Sequence, residues 1–390
     1  MARIPFIYNL RSMRVRWIST VVAILSVAGV VTVFVAVLSM AKGFSETVKA
    51  SGSKNNAMIL RGGSVSEMTS AMTLEQVRVI GDASGIARDR DGTPLISPEV
   101  VVNIHLFTRS SGSEANAGVR GVSKKVLEVR DIRITQGRFF TPGLSEIVVG
   151  KSAAEAYQHM DLGGSVSFAG QTWTVVGIFD AGGSAFDSEI WCDTTVLNQI
   201  FKRPPDIFQS VTARLVSVNA LSQIKDTLTT DPRLTVDVER EITYYEKQAK
   251  PLTTFIRTLG SLVAIVMAIG AVFAALNTMY AAVSARSSEI ATLQALGFTG
   301  GNVVASFLLE SLTLAFFGGV LGCLMVLPFN GFTASTMNWA TISRLAFAFR
   351  VTPDITIQGI IFSLIMGFFG GVFPAIRAAR QPIAGTLRGL

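Results

Sequence analysis

Four long apolar stretches alternate with polar segments along the chain. They cover residues 17–41, 259–285, 303–327 and 355–376, and Glu310 is the one charged residue inside them. A helix needs about 20 apolar residues to cross the hydrocarbon core of a bilayer, so each stretch is predicted to be a transmembrane helix. The first stretch is longer than the apolar core of a signal peptide, which has about 7–15 residues, and it is interpreted as a retained anchor.

The segment between the first two spans has the pattern of a soluble domain. Residues 42–250 contain short β-rich runs and amphipathic runs that are separated by Gly and Asp, and this pattern predicts a mixed α+β domain. Residues 251–285 are assigned to the end of a helical stalk and the second span. The predicted strands lie at 146–150, 165–170 and 172–180, the predicted helices at 73–82 and 217–229, and the predicted stalk at 239–260.

Basic residues in the two tails give the predicted orientation. The tail 1–16 contains four arginines and the tail 377–390 contains three, with no acidic residue in either. Lys and Arg concentrate on the cytoplasmic side of a membrane, so both tails and residues 286–302 are predicted to be cytoplasmic. Residues 42–250 are predicted to be an extracytoplasmic domain, and residues 328–354 a shorter extracytoplasmic loop. The predicted fold is a membrane domain of four helices in the cell inner membrane, with the α+β domain inserted between the first and second helices.

The composition supports a membrane protein and argues against a protein that binds nucleic acid. Hydrophobic residues make up 49% of the chain and charged residues 16%, whereas soluble domains carry about 25% charged residues. The net charge of +7 comes without a basic cluster interleaved with aromatic residues. Nucleic acid is therefore not an expected partner, and the basic residues are assigned to the membrane surface and its lipids.

Motifs for catalysis or ligand binding are missing from the predicted outer domain. The run "VVGKS" at 148–152 resembles the end of a phosphate-binding loop, but Ser145 stands where that motif needs its first glycine. The acidic residues in 180–189 lie among Gly and Ser, as in a flexible, solvated loop. Cys192 and Cys323 lie in unlike regions, so no disulfide is predicted, and no Cys/His spacing fits a metal site. The chain is not expected to be an enzyme or to hold a cofactor or metal.

A short amphipathic helix is predicted between the second and third spans, over 287–296. Ile290, Leu293 and Leu296 recur at helical spacing and predict one apolar stripe. Glu289 lies in the first turn, where the helix dipole favours an acid, and Gly297 suits a left-handed cap. The residues alone leave two interpretations open, an interfacial helix that only turns the chain around and a helix that binds a cytoplasmic partner.

The residues around this helix resemble the signature of FtsX/MacB-type ABC transporter permeases. Ala291 departs from that signature, which has glycine there in most of its forms. The C-terminal segment 370–390 is similar to the closing motif of the same family, and "GRFF" (137–140) and "EIVVG" are similar to its outer domain. The similar positions are Arg286, Glu289, Ile290, Leu293, Ala295, Leu296, Gly297, Phe307, Leu308 and Glu310 in the first motif, and Pro374, Ala375, Arg377, Ala378, Ala379, Pro382, Leu387 and Arg388 in the second.

This resemblance implies a function. Residues 286–297 would be a coupling helix that binds an ABC ATPase subunit, which would hold ATP and Mg; its apolar stripe would be buried there, and Arg286 and Glu289 would orient it. Two permeases, identical or homologous, and a periplasmic adaptor (a membrane fusion protein) are the other expected partners. The function that the resemblance implies is the export of lipoproteins, lipids, peptides or drugs. The alternative is a regulatory membrane protein that transmits ATPase motion to a cell-wall hydrolase. A secondary transporter is disfavoured because inverted repeats are absent.

Glu310 and two pairs of glycines are the remaining candidates within the spans. An intramembrane carboxylate is a functional candidate, and here structural pairing with a tail arginine such as Arg377 is favoured over a role in proton or substrate binding. Small residues four apart allow helices to approach closely. Gly318/Gly322 and Gly367/Gly371 have this spacing and are candidates for contacts within one chain or between two copies.

Overall fold

The computed structural model describes residues 14, 17–339 and 341–381, which form two compact units. Of the described residues, those up to Lys42, Thr254–Phe332 and those from Phe349 onward form the helical unit, and those in Gly43–Thr253 and Thr333–Ala348 form the sheet unit. The helices are α1 (Trp17–Ala50), α2 (Leu74–Gly81), α3 (Val126–Arg130), α4 (Lys151–Ala156), α5 (Thr194–Ile200), α6 (Ala220–Thr230), α7 (Glu241–Ala285), α8 (Ser287–Ala295), α9 (Gly300–Val326) and α10 (Pro353–Ala379). The strands are β1 (Asn56–Arg61), β2 (Met72–Thr73), β3 (Ile96–Phe107), β4 (Glu114–Val122), β5 (Arg133–Gly137), β6 (Glu146–Gly150), β7 (Ser165–Phe168), β8 (Gln171–Asp180), β9 (Glu189–Asp193), β10 (Ile207–Phe208), β11 (Ser210–Arg214), β12 (Val236–Arg240), β13 (Thr333–Asn338) and β14 (Ser343–Ala348).

A mixed ten-stranded sheet forms the centre of the sheet unit. Its strand order is β12-β1-β11-β3-β4-β9-β6-β8-β5, with β7 paired to β8. The pairs β4–β9 and β6–β8 are parallel, and the other pairs of this sheet are antiparallel. The strands predicted at 146–150, 165–170 and 172–180 are confirmed as β6, β7 and β8. The large domain is thus built of helices and a mixed sheet, in agreement with the mixed α+β domain that its β-rich and amphipathic runs predict.

Two separate apolar cores lie on this sheet. One contains Trp173, Ile147 and Leu197, against which α5 packs. The other contains Ile80 of α2 and Ile224 of α6, packed on β1, β11 and β12. Both helices were predicted from their apolar spacing, and α2 begins at a reciprocal cap in which Thr73 and Gln76 bond each other's backbone. The short-range pattern therefore predicted the elements that cover one end of the sheet.

The segment predicted as a plain outer loop, 328–354, contains a β-hairpin instead. Strands β13 and β14 pair in antiparallel register from Thr333↔Ala348 to Asn338↔Ser343. They belong to the sheet unit, where the side-chain amides of Asn103 and Asn116 donate hydrogen bonds to the backbone carbonyls of Thr341 and Ile342. The loop prediction missed the hairpin because alternation over six residues is a weak signal in a short segment between two strongly apolar spans.

Among the residues that the structure describes, four helices are long and apolar enough to cross a membrane: α1, α7, α9 and α10. The helices extend beyond the predicted spans, because α1 continues to Ala50 and α7 begins at Glu241, so the predicted stalk and second span form one helix of 45 residues. Pro251 lies within that helix. In both cases the helix continues into polar residues beyond the apolar stretch, so the ends of an apolar stretch do not give the ends of its helix.

Glycines allow α9 to pack closely on both of its neighbours. A Cβ atom on Gly318 would lie 2.8 Å from the side chain of Val27, and one on Gly322 would lie 2.7 Å from the carbonyl oxygen of Ala28, so this face of α9 packs on α1. A Cβ atom on Gly371 of α10 would lie 2.5 Å from Ser311 on α9. The predicted contacts at both glycine pairs are confirmed within one chain.

Candidate functional site

The short predicted helix is present as α8 and is separated from α7 by a single residue. Arg286 leaves the helical conformation, with φ −116° and ψ 17°, and the chain re-enters a helix at Ser287. Glu289 lies in the first turn, and the helix ends before Gly297, whose φ of +95° is left-handed. Glycine adopts that conformation at little cost, so the sequence sets both ends of α8.

Arg286 is the centre of a buried ionic cluster at the start of α8. Its Nη1 lies 3.2 Å from Oε2 of Glu310, and its Nε lies 3.3 Å from Oε2 of Glu289. The guanidinium also lies 5.3 Å from the ring centroid of Phe307. Arg286 and Glu310 are 7% and 5% exposed, so the guanidinium offsets part of the cost of burying the carboxylate in an apolar bundle.

The partner of Glu310 therefore differs from the one that the sequence suggested. Arg286 pairs with Glu310, whereas the tail residue Arg377 lies over the ring of Tyr280, 5.4 Å from its centroid. From the sequence alone, either arginine could supply the positive charge that pairs with Glu310. Arg286 reaches Glu310 because α8 folds back toward the first turns of α9.

The residues of the predicted apolar stripe do not share one environment. Ile290 is buried with Met279, Val303 and Phe307 inside the helical unit, whereas Leu296 is 73% exposed. A helix rotates by roughly 100° per residue, so Ile290 and Leu296 point in different directions, and Leu296 follows the last helical residue. Leu293 is half-buried, and Ala295 and Gly297 are exposed. The exposed surface is thus at the end of α8, and Ile290 and Arg286 fix the opposite side.

The second motif lies beside the first. Pro374, Ala375, Arg377, Ala378 and Ala379 form the last turns of α10, and Ala375 and Ala378 are fully buried in the same cluster as Ile290. The side-chain amide of Gln294 on α8 donates a hydrogen bond of 3.2 Å to the carbonyl oxygen of Ala379. The structure therefore brings the two motifs together. Pro382, Leu387 and Arg388 lie outside the described residues.

The sequence analysis missed a second ionic cluster, which lies in the sheet unit. Arg120 on β4 is 1% exposed, and its guanidinium contacts Glu67 at 2.7 Å, Glu99 at 2.8 Å and Glu189 at 2.8 Å. Arg130 extends this cluster to Glu99 and to Glu241, the first residue of α7. Two arginines thus face four carboxylates. Charged residues in the middle of valine-rich strands, as in "PEVVV" and "GVRGV", are the signal that predicts such a cluster.

Burial and the neighbouring arginines have opposite effects on the pKa values of the carboxyl groups in this cluster. Burial raises the pKa of the Glu67 carboxyl, but the charge and hydrogen bonds of Arg120 outweigh it and lower that pKa below its ordinary value. Burial dominates at Glu241 and raises its pKa, although Arg130 favours the charged form. Asp187 and Glu189, which the sequence suggested to be in a solvated loop, are buried or half-buried. That interpretation was wrong because Asp187 accepts hydrogen bonds from the backbone amides of Ala181 and Gly183.

Comparison with known proteins connects both units to one family. The model of the MacB-like periplasmic core domain matches residues 20–231, and the model of the FtsX-like permease C-terminal matches residues 261–383. The uncharacterized ABC transporter permease YknZ of Bacillus subtilis is 24% identical over 294 residues, which are 70% of this chain and 70% of that protein. The macrolide export ATP-binding/permease protein MacB of Bordetella avium is 25% identical over 339 residues, which are 80% of this chain and 48% of that protein.

One solved structure is also similar to part of this chain. It is the periplasmic region of MacB from Actinobacillus actinomycetemcomitans. The match covers 53% of this chain and 97% of that structure, at 17% identity and a TM-score of 0.39. The chain spans about half the length of its MacB relative from Bordetella avium. The first family model alone covers more than half of the 390 residues, from 20 to 231. The chain therefore belongs to the family of FtsX/MacB-type ABC transporter permeases.

Proposed function

We propose that this chain is the membrane subunit of a transporter in the cell inner membrane, and that it couples ATP hydrolysis by a separate ATPase to work outside the membrane. The observation that carries this proposal is the asymmetry of α8. Its first turn is held by the buried Arg286, while Ala295, Leu296 and Gly297 at its end are exposed. An exposed apolar end on a fixed support is what a partner protein can bury and push.

The contacts of α8 support transmission of a push to the spans. Arg286 joins α8 to α9 through Glu310, and Gln294 joins it to α10 through the carbonyl oxygen of Ala379. Ile290 packs between the same two helices. Because packed interiors resist compression, a displacement of α8 is expected to move α9 and α10 with it.

The ATPase contact is tested by a charge at the exposed end of α8. The Leu296→Asp variant and a Val65→Asp control, at a residue of the sheet unit that is 85% exposed, are purified from membranes of the native host in mild detergent. The wild type and the control are expected to retain ATP hydrolysis in the eluate, and Leu296→Asp is expected to lose most of it. A photocrosslinker at position 296 should form an adduct whose peptides include a phosphate-binding loop. Equal ATP hydrolysis in all three eluates, with no such adduct, would reject the proposal.

The proposed topology is tested by cysteine labelling in intact cells. Cys192 and Cys323 are buried free thiols, so background labelling is expected to be low. With a membrane-impermeant maleimide, Val65→Cys should react from outside, whereas Ala295→Cys should react only after the membrane is opened. Labelling of Ala295→Cys in sealed cells would place α8 on the wrong side for an ATPase.

The proposed cargo is amphiphilic, namely a lipoprotein, lipid, peptide or drug that passes to a periplasmic adaptor, with a second permease copy completing the transporter. A cavity of about 700 Å³ in the sheet unit supports this proposal, because apolar Leu60 and Trp339 and charged Lys225 and Asp237 all line it. Ligand sites commonly combine apolar walls with a few polar groups in such volumes. Co-purification of an adaptor with the full chain tests this part.

A further inference from the structure

The ionic cluster around Arg120 in the sheet unit contains more carboxyl groups than guanidinium groups. Its ionisable members are Arg120, Arg130, Glu67, Glu99, Glu189 and Glu241. Five of these side chains are at most 2% exposed, and only Glu189 is more accessible, at 13%. No further lysine, arginine or histidine among the described residues forms an ion pair with these carboxylates. Even without Glu189, three buried carboxyl groups thus face two buried guanidinium groups.

The other polar groups at the cluster do not supply the missing positive charge. The neutral donors to its carboxylates are the hydroxyl of Ser210, the indole of Trp191, the side-chain amide of Asn56 and the backbone amide of Ser53. The N-terminal end of α7 contributes roughly half a positive charge. Tyr244 and Tyr245 also face the cluster, and burial raises the pKa of both phenols, so they remain neutral. Because an uncompensated buried charge is costly, the cluster is expected to retain a proton.

Glu241 is the carboxyl group that the guanidinium groups hold least. It accepts a single hydrogen bond from a guanidinium, Nη1 of Arg130 at 2.7 Å. Each of the other three carboxylates accepts at least two such bonds. Burial raises the pKa of Glu241, and the like charge of Glu99 adds to this effect. The retained proton is therefore expected on Glu241.

The side-chain amide of Asn56 offers this proton an acceptor. Its Nδ2 donates to Oε2 of Glu241 and to the carbonyl oxygen of Val129, both at 2.9 Å, whereas its Oδ1 is buried without a hydrogen-bond partner among the described residues. A half-turn of the amide exchanges two groups of nearly equal size, so Oδ1 can accept a hydrogen bond from protonated Glu241. The carbonyl oxygen of Val129 then keeps the guanidinium of Arg214, at 3.1 Å. The site can thus hold Glu241 in either protonation state.

Glu241 lies where the ends of α1 and α7 meet at β1. It is the first residue of α7, and its Oε2 also accepts a hydrogen bond of 3.0 Å from the backbone amide of Ser53, three residues after α1 ends. A Cβ atom on Gly52 would lie 2.3 Å from Cα of Ile242, so the two backbones are in close contact. We call this contact of residues 52–56 with residues 241–242 the junction. The charge of Glu241 therefore acts directly on the junction.

We propose that Glu241 is a proton-binding site that holds the junction closed while it is protonated and loosens it when it ionises. The closed junction binds the proton more tightly than a carboxyl group in water does. By linkage, the stabilisation is complete below the ordinary pKa of 4.5 and is lost as the pH rises through the raised pKa. Proton binding rests on the cluster alone. Its consequence for transmission through α7 rests on the proposed function, in which the pH outside the membrane would set how firmly movement reaches the sheet.

The proton is tested by infrared difference spectroscopy of the full chain in nanodiscs. Between about pH 6 and about pH 9 exposed carboxyl groups stay ionised, so a carboxylic-acid band that disappears in this range reports a buried group. The wild type is expected to lose such a band, and Glu241→Gln is expected to lack that loss. Glu189→Gln should lose the band at a pH lower by about one unit, because one negative charge fewer makes ionisation of Glu241 easier.

Hydrogen exchange of residues 241–248, corrected for intrinsic rates, tests the effect of the proton on the junction. Protection in the wild type should fall as the pH rises over the same range, by up to about tenfold per pH unit, the limit for release of one proton. Glu241→Gln should keep its protection throughout. The control is Glu239→Gln, because Glu239 pairs with the exposed Lys247 outside the cluster; it should behave as the wild type does.

Three results would overturn the proposal. The first is a wild type that loses no carboxylic-acid band, and the second is an equal loss in Glu241→Gln. The third is the same pH dependence of protection in the wild type and in Glu241→Gln. If Glu241→Gln does not fold, Glu189→Gln decides, since an unshifted titration there would equally contradict the charge balance. None of these measurements involves an ATPase, so their failure and a failure of the coupling proposal are distinguishable.

Discussion

The guanidinium of Arg286 lies 3.2 Å from the carboxylate of Glu310, although 24 positions of sequence separate the two residues. Their side chains are 8% and 7% exposed. Burying either charge alone is costly, and each charge of this pair offsets part of the desolvation of the other. This pair therefore fixes α8 against α9, and it does so inside the motif by which the chain resembles its family.

A double-mutant cycle tests the dependence of the two charges on each other. Arg286→Met is expected to lower the free energy of unfolding by about 3 kcal/mol, because it removes the guanidinium from the buried carboxylate of Glu310. Glu310→Leu is expected to cost less, since Arg286 keeps its contact with Glu289. The double variant should recover much of the loss of Arg286→Met. Denaturation of the full chain in detergent measures this, and strictly additive losses would mean that the two charges are not coupled.

The bounds of α8 could be predicted from the sequence because local rules set them. Glu289 favours the first turn and Gly297 supplies the left-handed end, and both effects depend on a few neighbouring residues. The partner of Glu310 could not be predicted in this way. Arg286 and Arg377 carry the same charge near the same end of the spans, and only the path of the chain after Ala285 brings the first of them to the carboxylate.

The role of each apolar residue on α8 also required tertiary structure. Spacing predicts that Ile290 and Leu296 avoid water, but it does not state which surface covers them. The structure buries Ile290 within the chain and leaves Leu296 exposed. The charged residues inside valine-rich strands indicate a buried cluster, but the partners of Arg120 could not be predicted, for a related reason. Its guanidinium contacts the carboxylates of Glu67, Glu99 and Glu189. These residues are far apart in sequence, and the order in which distant strands pair brings them together.

Glycine at position 322 is expected to be required for the packing of α9 on α1. A Cβ atom there would lie 2.7 Å from the carbonyl oxygen of Ala28 and 2.8 Å from the side chain of Val31. Gly322→Ala should therefore lower the melting temperature of the full chain in detergent. The control is Gly270→Ala on α7, where a Cβ atom would meet nothing within 4 Å. The control should be neutral or slightly stabilising, because alanine favours a helix over glycine by about 1 kcal/mol. Equal effects would show that the close approach is not needed.

Arg120 is expected to contribute far more to the stability of the sheet unit than an exposed arginine of the same unit. Arg120→Met leaves Glu67, Glu99 and Glu189 without this cation, and the expected loss is about 3–5 kcal/mol for breaking a buried ionic cluster. The control is Arg109→Met, since Arg109 pairs with Asp161 at 2.7 Å but the two side chains are 38% and 73% exposed. Its loss should stay below about 1 kcal/mol. Hydrogen exchange of β3 and β4 in the full chain distinguishes the two variants, and comparable exchange would contradict a structural role for the cluster.

Glu146, the first residue of β6, is expected to make the local stability of its segment depend on pH. Hydrogen bonds from Arg138 lower the pKa of Glu146 to about 2, and the backbone amide of Thr141 adds a further hydrogen bond. A folded-state pKa below the unfolded value of 4.5 stabilises the fold above that pH, and the contribution is lost as the pH falls toward about 2. Hydrogen-exchange protection of residues 146–150, corrected for intrinsic rates, should therefore fall several-fold more between these pH values in the wild type than in Glu146→Gln. The size of the effect is limited by solvent screening, because Arg138 is 55% exposed. The same slope in both proteins would show that another group titrates in this range.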